Sequence, residues 1–163
     1  MTTSPSTPRV WAVMTRDVIT LAPTTTIAAA ADALHRHHLA RLPVVNEHME
    51  VVGQVRHSDL LGCHHRTVAQ VMTRPALTME EEAPIAEAVE VLLHQRVRSV
   101  PVICNGRLVG RISRTGLVSF LARHEWVCPQ CGSAARGVQP PAGCPACHGA
   151  ADQFRWEDAV PGM

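Results

Sequence analysis

The sequence predicts a mixed α/β (α+β) chain, with two β-α-β-β-α units in tandem followed by a small C-terminal segment organised by a metal. Three observations carry that prediction: a duplication over most of the chain, a change of apolar period inside each copy, and two CPxC pairs near the end. At 163 residues and 46% hydrophobic content, the chain can bury one core and carry an appendage. Aromatic residues make up only 3%, with no Tyr, so the core is aliphatic and an aromatic platform for single-stranded nucleic acid is disfavoured.

The duplication is read by laying residues 13–60 over 71–117. Val13-Met14-Thr15-Arg16 matches Val71-Met72-Thr73-Arg74, Thr20 matches Thr78, Ile27-Ala28 matches Ile85-Ala86, and Pro43-Val44 matches Pro101-Val102. The second copy is one residue shorter between its paired strands, where Asn105-Gly106 predicts a tighter hairpin turn. In each copy a short β-rich run (Val18 to Leu21; Ala76 to Met79) precedes a helix. Ile27, Ala30, Ala31 and Leu34, or Ile85, Ala88, Val89 and Leu92, share one face of it. Thr26 and Pro84 are helix-start residues. Two apolar strands follow, Leu42 to Val45 with Val51 to Val55 and Val100 to Ile103 with Leu108 to Ile112. A last helix starts near Ser58 or Thr115. The divisions predicted are a polar start (1–9), a first unit (10–65), a second unit (66–123) and the cysteine segment (124–163).

Charge and composition exclude several chemistries. All 15 basic residues are Arg, so Schiff-base catalysis and a GxxxxGK[ST] phosphate loop are both ruled out. The formal net charge of +1 implies no long-range field toward nucleic acid or an anionic membrane. The start, MTTSPSTPR, lacks an apolar export segment and no apolar run is long enough to span a bilayer, so a cytoplasmic protein is expected.

In each copy the order VMT, a helix, LPVV or VPVI, then VGQV or VGRI and a polar turn resembles a tandem pair of CBS domains, over roughly residues 10 to 123. The resemblance implies two units packed as a pseudo-twofold pair, commonly dimeric. In their cleft it implies a regulatory adenosine-containing ligand: AMP, ADP, ATP or S-adenosylmethionine. The family's G-x-x-[ST]-x-x-D motif places a hydroxyl near phosphate and an Asp on the ribose hydroxyls, a sensible use of a carboxylate.

Here that motif is split. The first copy reads Gly53-Gln54-Val55-Arg56-His57-Ser58-Asp59, with the Asp but with Arg in place of the hydroxyl. The second reads Gly110-Arg111-Ile112-Ser113-Arg114-Thr115-Gly116, with the hydroxyl but no Asp. The resemblance implies Asp59, Arg56, His57, Ser58, Thr20, Ser113, Arg114, Thr115 and Thr78 as ligand contacts. Two readings stand: Arg56 strengthens phosphate binding in the first copy, or both sites have decayed and Asp59 merely caps a helix.

Cys128 and Cys131, and Cys144 and Cys147, each enclose two residues. Two such turns converge four thiolates on one point, a closed all-sulfur site without an open catalytic position. The segment resembles a zinc ribbon, and its knuckles are similar to those of rubredoxin. Zinc is favoured by the Gly/Pro-rich spacer, with iron the alternative. The segment is acidic, which opposes nucleic-acid binding. Val127, Phe154 and Trp156 are expected to form its apolar surface against Phe120 to Ala122, and an exposed Trp126 or Trp156 would mark a partner contact. His35, His37 and His38 are read as complementing a helix C-terminus, as are His64 and His65. Cys63 and Cys104 are read as small apolar side chains.

The reading is a non-enzymatic, homodimeric sensor of an adenine nucleotide, with a structural zinc ribbon that signals to an unidentified protein partner. The alternatives are a rubredoxin-like iron electron carrier and a nucleotide-regulated, nucleic-acid-binding ribbon.

Overall fold

The computed structural model describes residues 7–62 and 66–159. Cys63, His64 and His65 therefore lie outside the described residues. The chain divides into two compact units: Thr15–Glu81 with Arg98–Arg111, and Met1–Met14 with Glu82–Val97 and Ile112–Met163. Among the described residues, no helix is long and apolar enough to cross a membrane.

In the unit of residues 15–81 and 98–111, the first β-rich run forms a single parallel bridge, Leu21 to Val44. Helix α1 (Ile27–Arg36) begins at Thr26, whose hydroxyl accepts the Ala29 N–H at 3.2 Å. It buries Ala30 and Leu34, one turn apart on the apolar face, and His35 and Arg36 occupy its last turn. Strand β1 (Arg41–Val45) pairs antiparallel with β2 (Val51–Arg56), in a register that sets Pro43 opposite Gln54 and Arg41 opposite Arg56. A single helical turn, α2 (His57–Leu60), follows.

The second copy contributes a sheet of its own. Strand β3 (Met79–Glu80) runs parallel to β4 (Ser99–Cys104), and β5 (Arg107–Ser113) lies on the other side of β4. Asn105 and Gly106 both have positive φ, +50° and +78°, as the tight hairpin requires. Cys104 is half-buried. The core is aliphatic: Leu21, Ala30, Leu34, Leu42, Val44, Val55 and Val68 are all buried together.

The other unit contains α3 (Ile85–His94), which starts after Pro84 and buries Ile85, Ala88 and Leu92. Helix α4 (Arg114–Arg123) is capped by the Ser113 hydroxyl, which accepts the Gly116 N–H at 3.1 Å. Strand β6 (His124–Val127) continues directly from it and is flanked by β7 (Ala134–Ala135) and β8 (Arg155–Asp158). Inward-facing positions alternate along β6, so Trp126 and Cys128 are buried while Val127 is half-buried. Val127, expected in the ribbon's apolar surface, stays outside the buried cluster, and Trp126 takes that place. The small core is Trp126, Phe154, Cys128 and Cys144, and Trp126 is fully buried rather than an exposed partner contact. Trp156 packs edge-on to Trp126 at 4.8 Å and stacks with Phe120 at 5.9 Å. His124 lies between helix and ribbon. Its Nδ1 donates to the Phe120 carbonyl at 2.8 Å, and its Nε2 is 3.0 Å from Asp158.

Candidate ligand cavity and metal centre

The two CPxC turns are built alike. The Gly132 N–H donates to the Cys128 carbonyl and the Cys128 N–H to the Ser133 carbonyl. In the second turn the His148 N–H donates to the Cys144 carbonyl and the Cys144 N–H to the Gly149 carbonyl. Both turns place a left-handed residue after the second cysteine: Gly132 at φ +73° and His148 at φ +59°. His148 therefore takes the conformation that glycine takes in the first turn, which non-glycine residues adopt less readily.

The four sulfurs lie within 4.8 Å of one another. Cys128 and Cys147 are 3.6 Å apart and Cys131 and Cys144 are 3.5 Å apart. A tetrahedron with bonds of about 2.3 Å has edges of about 3.8 Å, so the donor set fits a four-thiolate metal. The backbone N–H of Cys147 holds the Cys144 thiol down to about 6. At Cys147 the Gly149 N–H is outweighed by burial and by the three neighbouring thiols, which push it up to about 12. Four thiolates this close repel one another, and a divalent cation removes that repulsion. The cysteines thus form a knuckle whose geometry suits a metal.

In the first-copy motif, Gly53 allows the chain to pass close by. A Cβ there would meet Met72 Sδ at 2.8 Å and the Thr73 carbonyl at 3.2 Å. Asp59 accepts from the Arg56 backbone N–H at 2.9 Å and from its guanidinium at 3.0 and 3.3 Å. The Ser58 hydroxyl, at 3.4 Å, and the Thr73 hydroxyl, at 3.5 Å, also donate to it. Burial raises the Asp59 carboxyl, but the Arg56 hydrogen bonds outweigh it and hold it below the usual carboxylate range. Arg56 and Asp59 are thus joined to each other while His57 and Ser58 are exposed.

The other sequence-derived contacts lie elsewhere. Thr20 lines a separate hollow with Pro23, Asn46 and His48, and Thr78 is half-buried just before β3. Ser113 caps α4, the Arg114 guanidinium donates to the Leu92 carbonyl at 2.8 Å, and Thr115 is exposed in the first turn.

The unit of residues 15–81 and 98–111 also forms a partly open cavity of about 90 Å³. Val18, Ile19, Leu42, Pro43 and Pro101 supply apolar wall, with Asp17, Arg41, Gln54, Ser99 and Arg111 as its polar groups. None of the nine sequence-derived ligand residues lines it. Arg41 joins it to the motif: the guanidinium is lowered first by burial, then by the like charge of Arg56, and raised by Asp59. Its polar groups come from five separate stretches of chain, so no local motif marks them. The local signal they carry is that Arg41 immediately precedes LPVV and Gln54 is the polar residue within VGQV.

The profile of the CBS domain family matches residues 10–65 and 68–123. The inosine-5'-monophosphate dehydrogenase of Methanocaldococcus jannaschii is 31% identical over 104 residues, 62% of this chain and 21% of that protein. That of Thermoplasma acidophilum is 33% identical over 109 residues, 66% and 22% respectively. The chain thus spans about a fifth of the length of these dehydrogenases. Among solved structures, CBSX2 in complex with AMP is similar, with a TM-score of 0.63 and 24% identity over 69% of this chain and 94% of that one. The CBS domain pair of protein MJ0100, in complex with 5'-methylthioadenosine and S-adenosyl-L-methionine, has a TM-score of 0.60 and 25% identity over 71% and 96%. With two matched copies covering more than half of its length, the chain belongs to the CBS domain family, as a tandem pair followed by a four-cysteine knuckle.

Proposed function

We propose that this chain is a non-enzymatic regulatory sensor that binds an adenosine-containing ligand through its unit of residues 15–81 and 98–111. The observation that carries the reading is the cavity: apolar walls suited to a base, two guanidiniums suited to an anion, and Arg41 linking it electrostatically to Arg56 and Asp59. In this reading Asp59 takes the ribose hydroxyls, and Arg56, released from Asp59, turns to phosphate or another anionic group. The ligand complex of the MJ0100 pair supports the adenosine class. Ligand binding shifts a population between arrangements, which a protein partner reads in trans, with the chain acting as a cytoplasmic homodimer.

The knuckle holds a structural zinc in this reading. Four thiolates leave no open position, and a segment with so small an apolar core depends on the metal to fold. Calorimetric titration with AMP, ADP, ATP and S-adenosylmethionine tests the ligand, and Asp59→Ala tests the site. Binding of one of them, lost in Asp59→Ala, is the expected result; unchanged affinity in the variant removes Asp59 from the site. Metal analysis should find one zinc per chain in a colourless protein. A red, iron-containing preparation favours the electron carrier instead.

A further inference from the structure

We propose that the Gln130 side-chain amide donates to the Cys147 sulfur when the knuckle holds its metal, and that this bond tightens the metal site. The inference rests on the metal reading above and adds to it a group outside the four ligands. Gln130 lies between the cysteines of the first turn, yet its amide meets a sulfur of the second. Cys147 Sγ is 3.6 Å from Gln130 Oε1, with the thiol as donor. Gln130 Nε2 in turn donates to Gln153 Oε1 at 3.0 Å. Gly149 leaves room for both amides: a Cβ there would meet Gln130 Oε1 at 3.2 Å, Gln153 Oε1 at 3.3 Å and Cys147 Sγ at 3.4 Å.

A sulfur that ligates a metal has given up its proton, so the bond in that direction is open only to the thiol. An amide presents a donor and an acceptor of nearly the same shape. Turning the Gln130 amide over sets Nε2 against the thiolate, and turning Gln153 with it lets Gln153 Nε2 donate to Gln130 Oε1. Both contacts survive with their directions reversed. Four thiolates around a divalent ion carry net negative charge, which an N–H partner at the sulfur stabilises. Cys131 and Cys147 hold equivalent places in the two turns, and each sulfur takes one backbone N–H, from Ser133 and Gly149 respectively. The position matching Gln130 in the second turn is Ala146, which has no amide to offer in return. The two halves of the knuckle are therefore unequal, with Cys131 exposed and Cys147 half-buried beside the amide pair.

The test loads the full chain with NMR-active cadmium in place of zinc and records the glutamine side-chain amides. One amide proton should show scalar coupling to cadmium through the sulfur, and it should vanish in Gln130→Met, which keeps length but removes the amide. Competition with a chelator should show zinc held about tenfold less tightly in Gln130→Met, and less tightly again in Gln130→Glu, which sets a carboxylate against the thiolate. A wild type with a four-thiolate cadmium resonance but no coupled side-chain amide overturns the proposal without any variant. A folded Gln130→Met that holds zinc as tightly as the wild type overturns it too, because the amide then adds nothing to the site. If the cadmium resonance lacks the four-thiolate signature, the metal reading itself fails and the role of Gln130 falls with it.

Discussion

The two regions carrying the chemistry of this chain are held together by different means. Around the cavity, Leu21, Leu34, Leu42, Val44 and Val55 make an aliphatic core from residues far apart in sequence. In the knuckle, the buried set is two aromatic residues and two of the metal ligands themselves. A core of the first kind tolerates the removal of one member at a finite cost. The second has no such reserve: where the ligands are also the core, losing one removes both the cross-link and the packing. One region can therefore carry a ligand-responsive equilibrium while the other is all or none.

The largest effect should come from Cys144→Ser or from chelation. Either should abolish the tertiary signal of Trp126 and melt the C-terminal sheet while leaving most of the helical signal; near-ultraviolet circular dichroism beside the far-ultraviolet spectrum checks this. A knuckle that stays folded without metal breaks the contrast. Next, Leu34→Ala should cost about 2–5 kcal/mol in denaturant unfolding with metal content unchanged. Gly53→Ala, forced against Met72 and the Thr73 carbonyl, should cost about 1–3 kcal/mol in the same assay and weaken nucleotide binding with it.

The smallest expected effect is electrostatic. The Asp59 carboxyl is held below its ordinary value in the folded chain. Its contribution is full above the unfolded value of about 3.9 and is lost as pH falls through the lower folded value. Between pH 5 and pH 2, stability should fall more steeply in the wild type than in Asp59→Asn. Parallel curves would mean that the Arg56 pairing adds nothing.

The same contrast explains what the sequence made legible. The repeat could be read because apolar runs and helix periods leave local traces, as at Leu42 to Val45, and these paired strands lie where the apolar runs put them to within a residue or two. The knuckle was legible because its ligands come in two short turns. Whether Trp126 is exposed was not legible, because only the pairing of β6 with β7 and β8 reveals which of its faces is covered. The cavity was not legible, since Asp17, Arg41, Gln54, Ser99 and Arg111 meet only through tertiary folding. Nor does sequence say which acceptor a guanidinium takes. Arg56, for which a phosphate role was one of two readings, hydrogen-bonds Asp59 here.

The most direct test is a thermal-unfolding panel with AMP, ADP, ATP, S-adenosylmethionine and GTP, run on metal-loaded and on chelator-treated protein. A ligand at about 100 times its Kd adds about 2.7 kcal/mol, several degrees for a chain of this size. The account predicts a shift with an adenine ligand and none with GTP, and the same selectivity after chelation despite the loss of the knuckle. No shift with any adenine ligand, or one that disappears with the metal, would contradict it.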